Sequence, residues 1–178
     1  MSYPLRTATL ADKPLLMALI ARSIRQLGAG DYRSEQIEAA LLGAFGVDTQ
    51  LIEDRTYFVA EAGDGRIVGC GGWSWRRTLF GGDANRGRDA AALDPAVDAA
   101  KIRAFFIDPD YSRRGIGSAI LARCEQAARE RGFTRCEMMA TLPGVRLYKT
   151  FGYQGETMIH HPLNDEVTIQ FVPMSKTL

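Results

Sequence analysis

Apolar residues recur along the chain in two rhythms. Leu15, Leu16, Leu19, Ile20, Ile24 and Leu27 follow helical spacing, which predicts a helix with one stripe against a core. A short extended run over residues 5–8 precedes it. Thr9, with Asp12 three positions on, reads as its N-terminal cap, and Gly28-Ala29-Gly30 ends it. A shorter helix starts at Ser34, with Ile37, Ala40, Leu41 and Ala44 on its inner side. Residues 56–61 are then β-branched and aromatic, Gly63-Asp64-Gly65 signals a turn, and residues 66–70 return as a strand running on toward Trp75. This predicts an antiparallel hairpin. A further strand over 101–107 is stopped by Asp108-Pro109-Asp110. A long helix follows through Ile116, Ile120, Leu121, Cys124, Ala127 and Ala128, closed by Gly132. The rest reads as a strand over 135–140, a short helix over 145–150, and strands over 156–160 and 167–172.

Residues 76–100 fit neither rhythm. They carry Arg76, Arg77, Arg86 and Arg88 among Gly81-Gly82, Asn85, Gly87 and Pro95. A loop of this length is either a solvated insertion or the wall of a substrate pocket, and the sequence leaves both readings open. The 178 residues suit one domain, residues 1–178, with a core that needs no disulfide or metal staple. With 46% apolar and 24% charged residues the chain is an ordinary globular one. Its net charge of +1 makes no case for a nucleic-acid or membrane-surface partner. No apolar run is long enough to span a membrane, and the N-terminus lacks the apolar core of a signal peptide. Cys70, Cys124 and Cys136 are odd in number and far apart, which argues against a disulfide framework or zinc knuckle and for a reducing cytoplasm. His160 and His161 are neighbours on a strand and point to opposite faces, so no metal site is expected from them.

The stretch over 101–140 carries the chemistry. A strand, a glycine-containing turn, a helix and a strand make a β-α-β unit, long enough for a parallel crossover. The turn places Arg113, Arg114, Gly115, Ile116, Gly117 and Ser118 where a helix begins. Helix N-termini expose unpaired N–H groups and partial positive charge, so phosphate is favoured there. Glycines let the backbone approach an anion, and the two arginines add donors. The dinucleotide fingerprint is absent, because its last glycine falls on Ile120, and so is the P-loop.

Ile107-Asp-Pro-Asp-Tyr-Ser-Arg-Arg-Gly-Ile-Gly-Ser resembles the acyl-coenzyme-A-binding motif of the GNAT superfamily of N-acetyltransferases. Leu147-Tyr148-Lys149-Thr150-Phe151-Gly152-Tyr153 is similar to that family's downstream Leu/Phe-Tyr-x-x-x-Gly-aromatic segment. The order of elements agrees over nearly the whole chain. The motif's leading Arg/Gln falls here on Ser112, and a strand-end Asn common in the family falls near Thr141.

The resemblance implies an α/β (α+β) fold: a mixed, mostly antiparallel twisted sheet with a central splayed parallel strand pair and flanking helices. It implies acetyl-CoA as cosubstrate, no metal, and transfer to a small-molecule or protein amine by direct attack. A homodimer paired at a sheet edge is left open, as is a silent acyl-CoA sensor on the same fold. Phe106 and Ile107 would offer backbone contacts to pantetheine, Arg113 to Ser118 would hold the pyrophosphate, and the Thr141 hydroxyl would replace the hydrogen bond of the family's strand-end Asn toward the coenzyme. Tyr148 would protonate the leaving thiolate. No base stands out for the amine: Glu137 and His160 are candidates, and water is a third. The acceptor pocket would lie among the first helices, the long loop and the hairpin end with Trp73 and Trp75. Core packing is the commoner role for such tryptophans, while Arg76 and Arg77 suggest an anionic or aromatic acceptor.

Overall fold

The computed structural model describes residues 3–178. One seven-stranded sheet runs in the order β1-β2-β3-β4-β5-β7-β6. Its strands are β1 (Leu5–Thr7), β2 (Tyr57–Glu61), β3 (Ile67–Ser74), β4 (Ala100–Ile107), β5 (Arg135–Thr141), β6 (Ile159–Pro162) and β7 (Thr168–Thr177). Every pairing is antiparallel except β4 with β5. Helices α1 (Lys13–Leu27), α2 (Ser34–Ala40) and α3 (Thr49–Glu53) cover one face; α4 (Ile116–Glu130) and α5 (Val145–Thr150) cover the other. The mixed, mostly antiparallel sheet with its single parallel pair is the fold expected.

Each face buries its own core. On the α4 side Ile116, Ile120, Leu121 and Cys124 pack over β2–β5; on the α1 side Leu16, Leu19, Ile20 and Ile24 do the same. Leu15 and Leu27 are the exceptions to the predicted stripe, since α1 meets the sheet through a narrower face and leaves both exposed. Thr9 and Asp12 do form the start of this helix, with the Thr9 N–H donating to Asp12 Oδ2 at 2.7 Å. Arg6 grips the same carboxylate at 2.8 and 2.9 Å and holds its pKa down at about 2.

Several boundaries moved. α2 stops at Ala40, and Ala44 lies in the turns that follow. α3 is a single turn capped by Asp48, which accepts from Gln50 N–H at 3.0 Å; it is too short to show a period. β7 continues to Thr177 because β5 pairs with it from Thr141↔Phe171 to Arg135↔Thr177.

The 76–100 segment is a wall. Arg76 bridges to Ala92, Thr78 N–H donates to Asp89 O at 2.9 Å, and Leu93 N–H donates to Trp75 O at 2.8 Å. This irregular hairpin sends its tip back across the α1 face, where Gly82 N–H reaches Gly43 O at 3.1 Å and Asp83 N–H reaches Val47 O at 2.9 Å. The tryptophans lie elsewhere: Trp73 and Trp75 pack edge-to-face on the α4 side, with Trp73 also against Phe133. Arg76 is held by Asp54 at 2.6 and 2.8 Å and turns away from any pocket. The expected contribution of the hairpin end to an acceptor site is therefore not found.

Candidate active site

β4 and β5 are neighbours only where they begin. Their ladder pairs Ala100 with Cys136 and Lys101 with Glu137 and goes no further, although the strands run on to Ile107 and Thr141. Glu137 is ion-paired with Lys101 at that last rung, so it stands at the closed end of the gap and not where an amine would react. Beyond it the strands diverge, and one edge of β4 carries backbone groups without a ladder partner.

Strand alternation decides which groups those are. Asp108 N–H donates to Val68 O at 2.9 Å, and Phe106 pairs with Cys70. Residues 106 and 108 thus turn their polar groups to β3, and Phe105 and Ile107 turn theirs to the gap. Ile107 N–H there meets the Ser23 hydroxyl of α1 at 3.2 Å. This corrects the expected pair of backbone contacts. Phe106 lines the cleft, but its amide and carbonyl face β3, and Phe105 takes its place on the open edge. Just before it the register with β3 shifts, and Ala104 adopts φ 56°, a bulge that aims its carbonyl at the buried Tyr57 hydroxyl, 3.3 Å away.

The glycine loop has the geometry of an anion cradle. Arg113 (φ 61°) and Gly115 (φ 80°) are both left-handed, the kind of backbone alternation that gathers successive N–H groups into a concavity. Gly115 caps α4 in that conformation, which a side chain would strain. The first helical bond is from Ala119 N–H to Gly115 O at 3.0 Å, so the N–H groups of Ile116, Gly117 and Ser118 have no helix carbonyl to bond. Arg22 fixes the loop's entry by bonding Asp108 at 2.8 Å and Asp110 at 2.6 Å.

A cavity of about 490 Å³ runs from this loop along the open edge. Arg113, Gly115, Ile116, Gly117 and Ser118 line one end, and Phe106, Ile107, Thr141 and Tyr148 line the other. Arg114 departs from expectation: its guanidinium stacks on Tyr111, 4.9 Å from the ring centre, and does not line the cavity.

Tyr148 is buried on α5, edge-on to Phe105 with ring centres 6.1 Å apart. Gly144, one turn earlier, makes room for it: a Cβ there would lie 2.8 Å from Tyr148 Cε2. Burial pushes the phenol well above its ordinary pKa, with the neighbouring Cys124 thiol adding to the shift. The hydroxyl therefore stays protonated at any working pH.

A second, smaller cavity of about 50 Å³ adjoins the first on the α1 side. The two share Phe105, Phe106, Thr141 and Tyr148, so the tyrosine stands at their junction. Leu79, Phe80 and Gly81 from the tip of the 76–100 wall close the small cavity, with Phe45, Arg103 and Phe171 around it. Of the two histidines, His160 is exposed, whereas His161 packs edge-on against Phe80 with ring centres 4.8 Å apart and against Phe171 at 6.2 Å. Burial lowers the pKa of His161, leaving it neutral at pH 7. Ser23, Phe105 and Arg103 line these cavities and were missed by sequence reasoning, whereas His161 lies behind Phe80 and Phe171 and lines neither. Among the described residues no group of His, Cys, Asp and Glu is arranged to hold a metal, and no helix is long and apolar enough to cross a membrane.

The profile of the acetyltransferase (GNAT) family matches residues 22–153 of the chain. A comparison with curated protein sequences finds no match. Among solved structures the chain is similar to a GCN5-related N-acetyltransferase from Rhodopseudomonas palustris, with a TM-score of 0.73 and 21% identity over 100% of this chain and 97% of that one. It is also similar to the PaiA N-acetyltransferase from Thermoplasma acidophilum in complex with coenzyme A (TM-score 0.67, 16% identity, 100% of each chain). A third likeness is to a ribosomal-protein-alanine N-acetyltransferase from Brucella melitensis (TM-score 0.62, 19% identity, 98% of this chain and 99% of that one). These likenesses establish a shared fold.

Proposed function

Because the chain belongs to the GNAT acetyltransferase family, we propose that it is an N-acetyltransferase that moves an acetyl group from acetyl-CoA to a primary amine, both bound at once. The observation that carries this is the junction at Tyr148. One cavity leads from it to the unpaired amides of α4, and another, with a different lining, leads from it to the 76–100 wall.

The residues divide the work. The N–H groups of Ile116, Gly117 and Ser118, with Arg113 beside them, suit a diphosphate. The open edge at Phe105 and Ile107 suits an extended amide chain such as pantetheine, which would add to β4 as a strand does. The Phe105 N–H then stands where the thioester oxygen gains charge in the tetrahedral intermediate. The amine nitrogen forms its bond to the carbonyl carbon, the carbon–sulfur bond breaks, and the electron pair leaves on sulfur. Tyr148 offers its O–H to that sulfur. Its proton is held more tightly than a thiol's, whose pKa is ~8.5, so the phenol stabilises the thiolate by hydrogen bonding and the proton lost by the amine completes the thiol. His161, neutral and packed behind Phe80 and Phe171 without lining the small cavity, would carry that proton only through an intervening water.

Thiol release from acetyl-CoA across an amine panel, with product mass, tests the reading. Acetylated product from any primary amine supports it. Tight coenzyme A binding with no transfer to any amine would replace it by the binding-only alternative.

A further inference from the structure

The small cavity holds one charged side chain, and that side chain is incompletely partnered. Arg103 on β4 is 4% exposed. Its Nη2 donates to Gly81 O at 2.7 Å and lies 2.8 Å from Asp48 Oδ2, yet its Nε–H is buried with no partner at all. An unbonded buried donor costs free energy that a bound acceptor recovers. The surrounding ion pairs do not neutralise it. Asp48 is shared between Arg103 and Arg88, and Asp83 between Arg88 and Lys13, so three cations face two carboxylates. Burial disfavours the Arg103 charge, Asp48 supports it, and the nearby Arg88 opposes it.

But for Thr141 and the Tyr148 hydroxyl the rest of the lining is apolar or aromatic, including Phe45, Phe80 and Phe171, and it carries no carboxylate. A second ammonium on the acceptor would find nothing to pair with there. A carboxylate would find Arg103, the one charged side chain of the lining, and the excess of cations behind it. The volume of about 50 Å³ limits what lies between amine and acid to a short apolar body.

Resting on the transferase reading above, we propose that the acceptor is a compact amino carboxylate, whose acid group binds Arg103 and whose amine is thereby held toward Tyr148. Polyamines and multiply charged amino sugars are the classes this site disfavours. In the reaction the acceptor's ammonium loses one proton to become the attacking amine and a second on forming the amide. One of these completes the coenzyme thiol and the other goes to solvent; the acid group is unchanged.

The test pairs amino acids from glycine to leucine and phenylalanine with their decarboxylated amines, and adds spermidine. Calorimetric titration of the coenzyme A-saturated protein reads the pocket without turnover, and thiol release reads transfer. At least one amino acid should bind at least ten-fold tighter than its decarboxylated partner, and should exceed it by a similar factor in kcat/KM. Arg103→Gln should bring that ratio close to one, and Arg103→Lys, which keeps the charge, should restore part of it. The wild-type ratio needs no variant, so a misfolded substitution does not leave the question standing. Acids binding no better than their amines, or spermidine preferred, would overturn the assignment even if transfer is observed. Acids that bind with preference but are never acetylated would support the pocket and remove the transferase reading instead.

Discussion

The two halves of the cleft are built from different materials. The half proposed for the coenzyme is backbone: three helix amides, two left-handed residues in the loop and a strand edge without a ladder partner. The half proposed for the acceptor is side chain: Arg103, Asp48, Arg88 and Asp83 linked in series, capped by Phe80 and Gly81 from a segment more than twenty residues upstream of Arg103. Backbone features tolerate varied side chains as long as the local conformation survives, whereas a chain of buried ion pairs depends on every member. Breaking one half should therefore leave the other measurable.

Tyr148, at the junction, gives the largest effect. Tyr148→Phe should lower kcat by about 10²- to 10⁴-fold while coenzyme A affinity stays within about two-fold, because the ring is kept and only the donor is lost. Equal losses in both would mean that the hydroxyl positions the coenzyme. On the acceptor side, Asp48→Asn removes the carboxylate that two guanidiniums share. Breaking a buried pair costs about 3–5 kcal/mol, read as a fall in Tm, and the 76–100 wall should become more accessible to protease. Coenzyme A affinity, measured well below the new Tm, should change little. A large drop there would show that the halves are not independent.

The converse substitution is Gly115→Val. It puts a β-branched residue at φ 80°, where the left-handed conformation costs about 1–2 kcal/mol. The loop should relax, coenzyme A affinity should fall about ten-fold, and the tightness of the acceptor wall, read by proteolysis, should be unaffected. An unchanged affinity would mean that the amides of 116–118 bind nothing.

The same division explains what could be read from the chain. Gly115-Ile116-Gly117 before a helical period marks an anion site locally, and Tyr148 stood out by its place in a second motif, so the residues that line the larger cavity were legible. The acceptor half joins Lys13, Asp48, Asp83, Arg88 and Arg103, and no local pattern brings these together. Nor does Arg103-Ala104-Phe105 advertise a bulge: alanine at φ 56° is set by tertiary packing, and it decides that Phe105 faces the gap. The choice between His160 and His161 turned on a register of one residue. β6 begins at Ile159, opposite Phe171, and only that pairing puts His161 on the inner face.

The smallest effect, and the one that separates the halves most finely, lies in the pH profile. Tyr148 is raised, so its ionisation adds no limb to kcat/KM near neutrality. His161 is lowered from 6.5, so its neutral form persists down into mildly acid solution. An ammonium has no lone pair and holds its proton about 3.5 units or more above this imidazole, so the attacking species is the free amine, and both wild type and His161→Gln should rise about ten-fold per pH unit up to the amine's own pKa, ~10. If the neutral imidazole takes the proton that the amine loses on forming the amide, the wild type should lose a further ten-fold per unit below the His161 pKa, and His161→Gln should not. A wild-type profile that keeps the slope of His161→Gln at every pH would assign the imidazole to packing against Phe80 alone and leave proton removal to water.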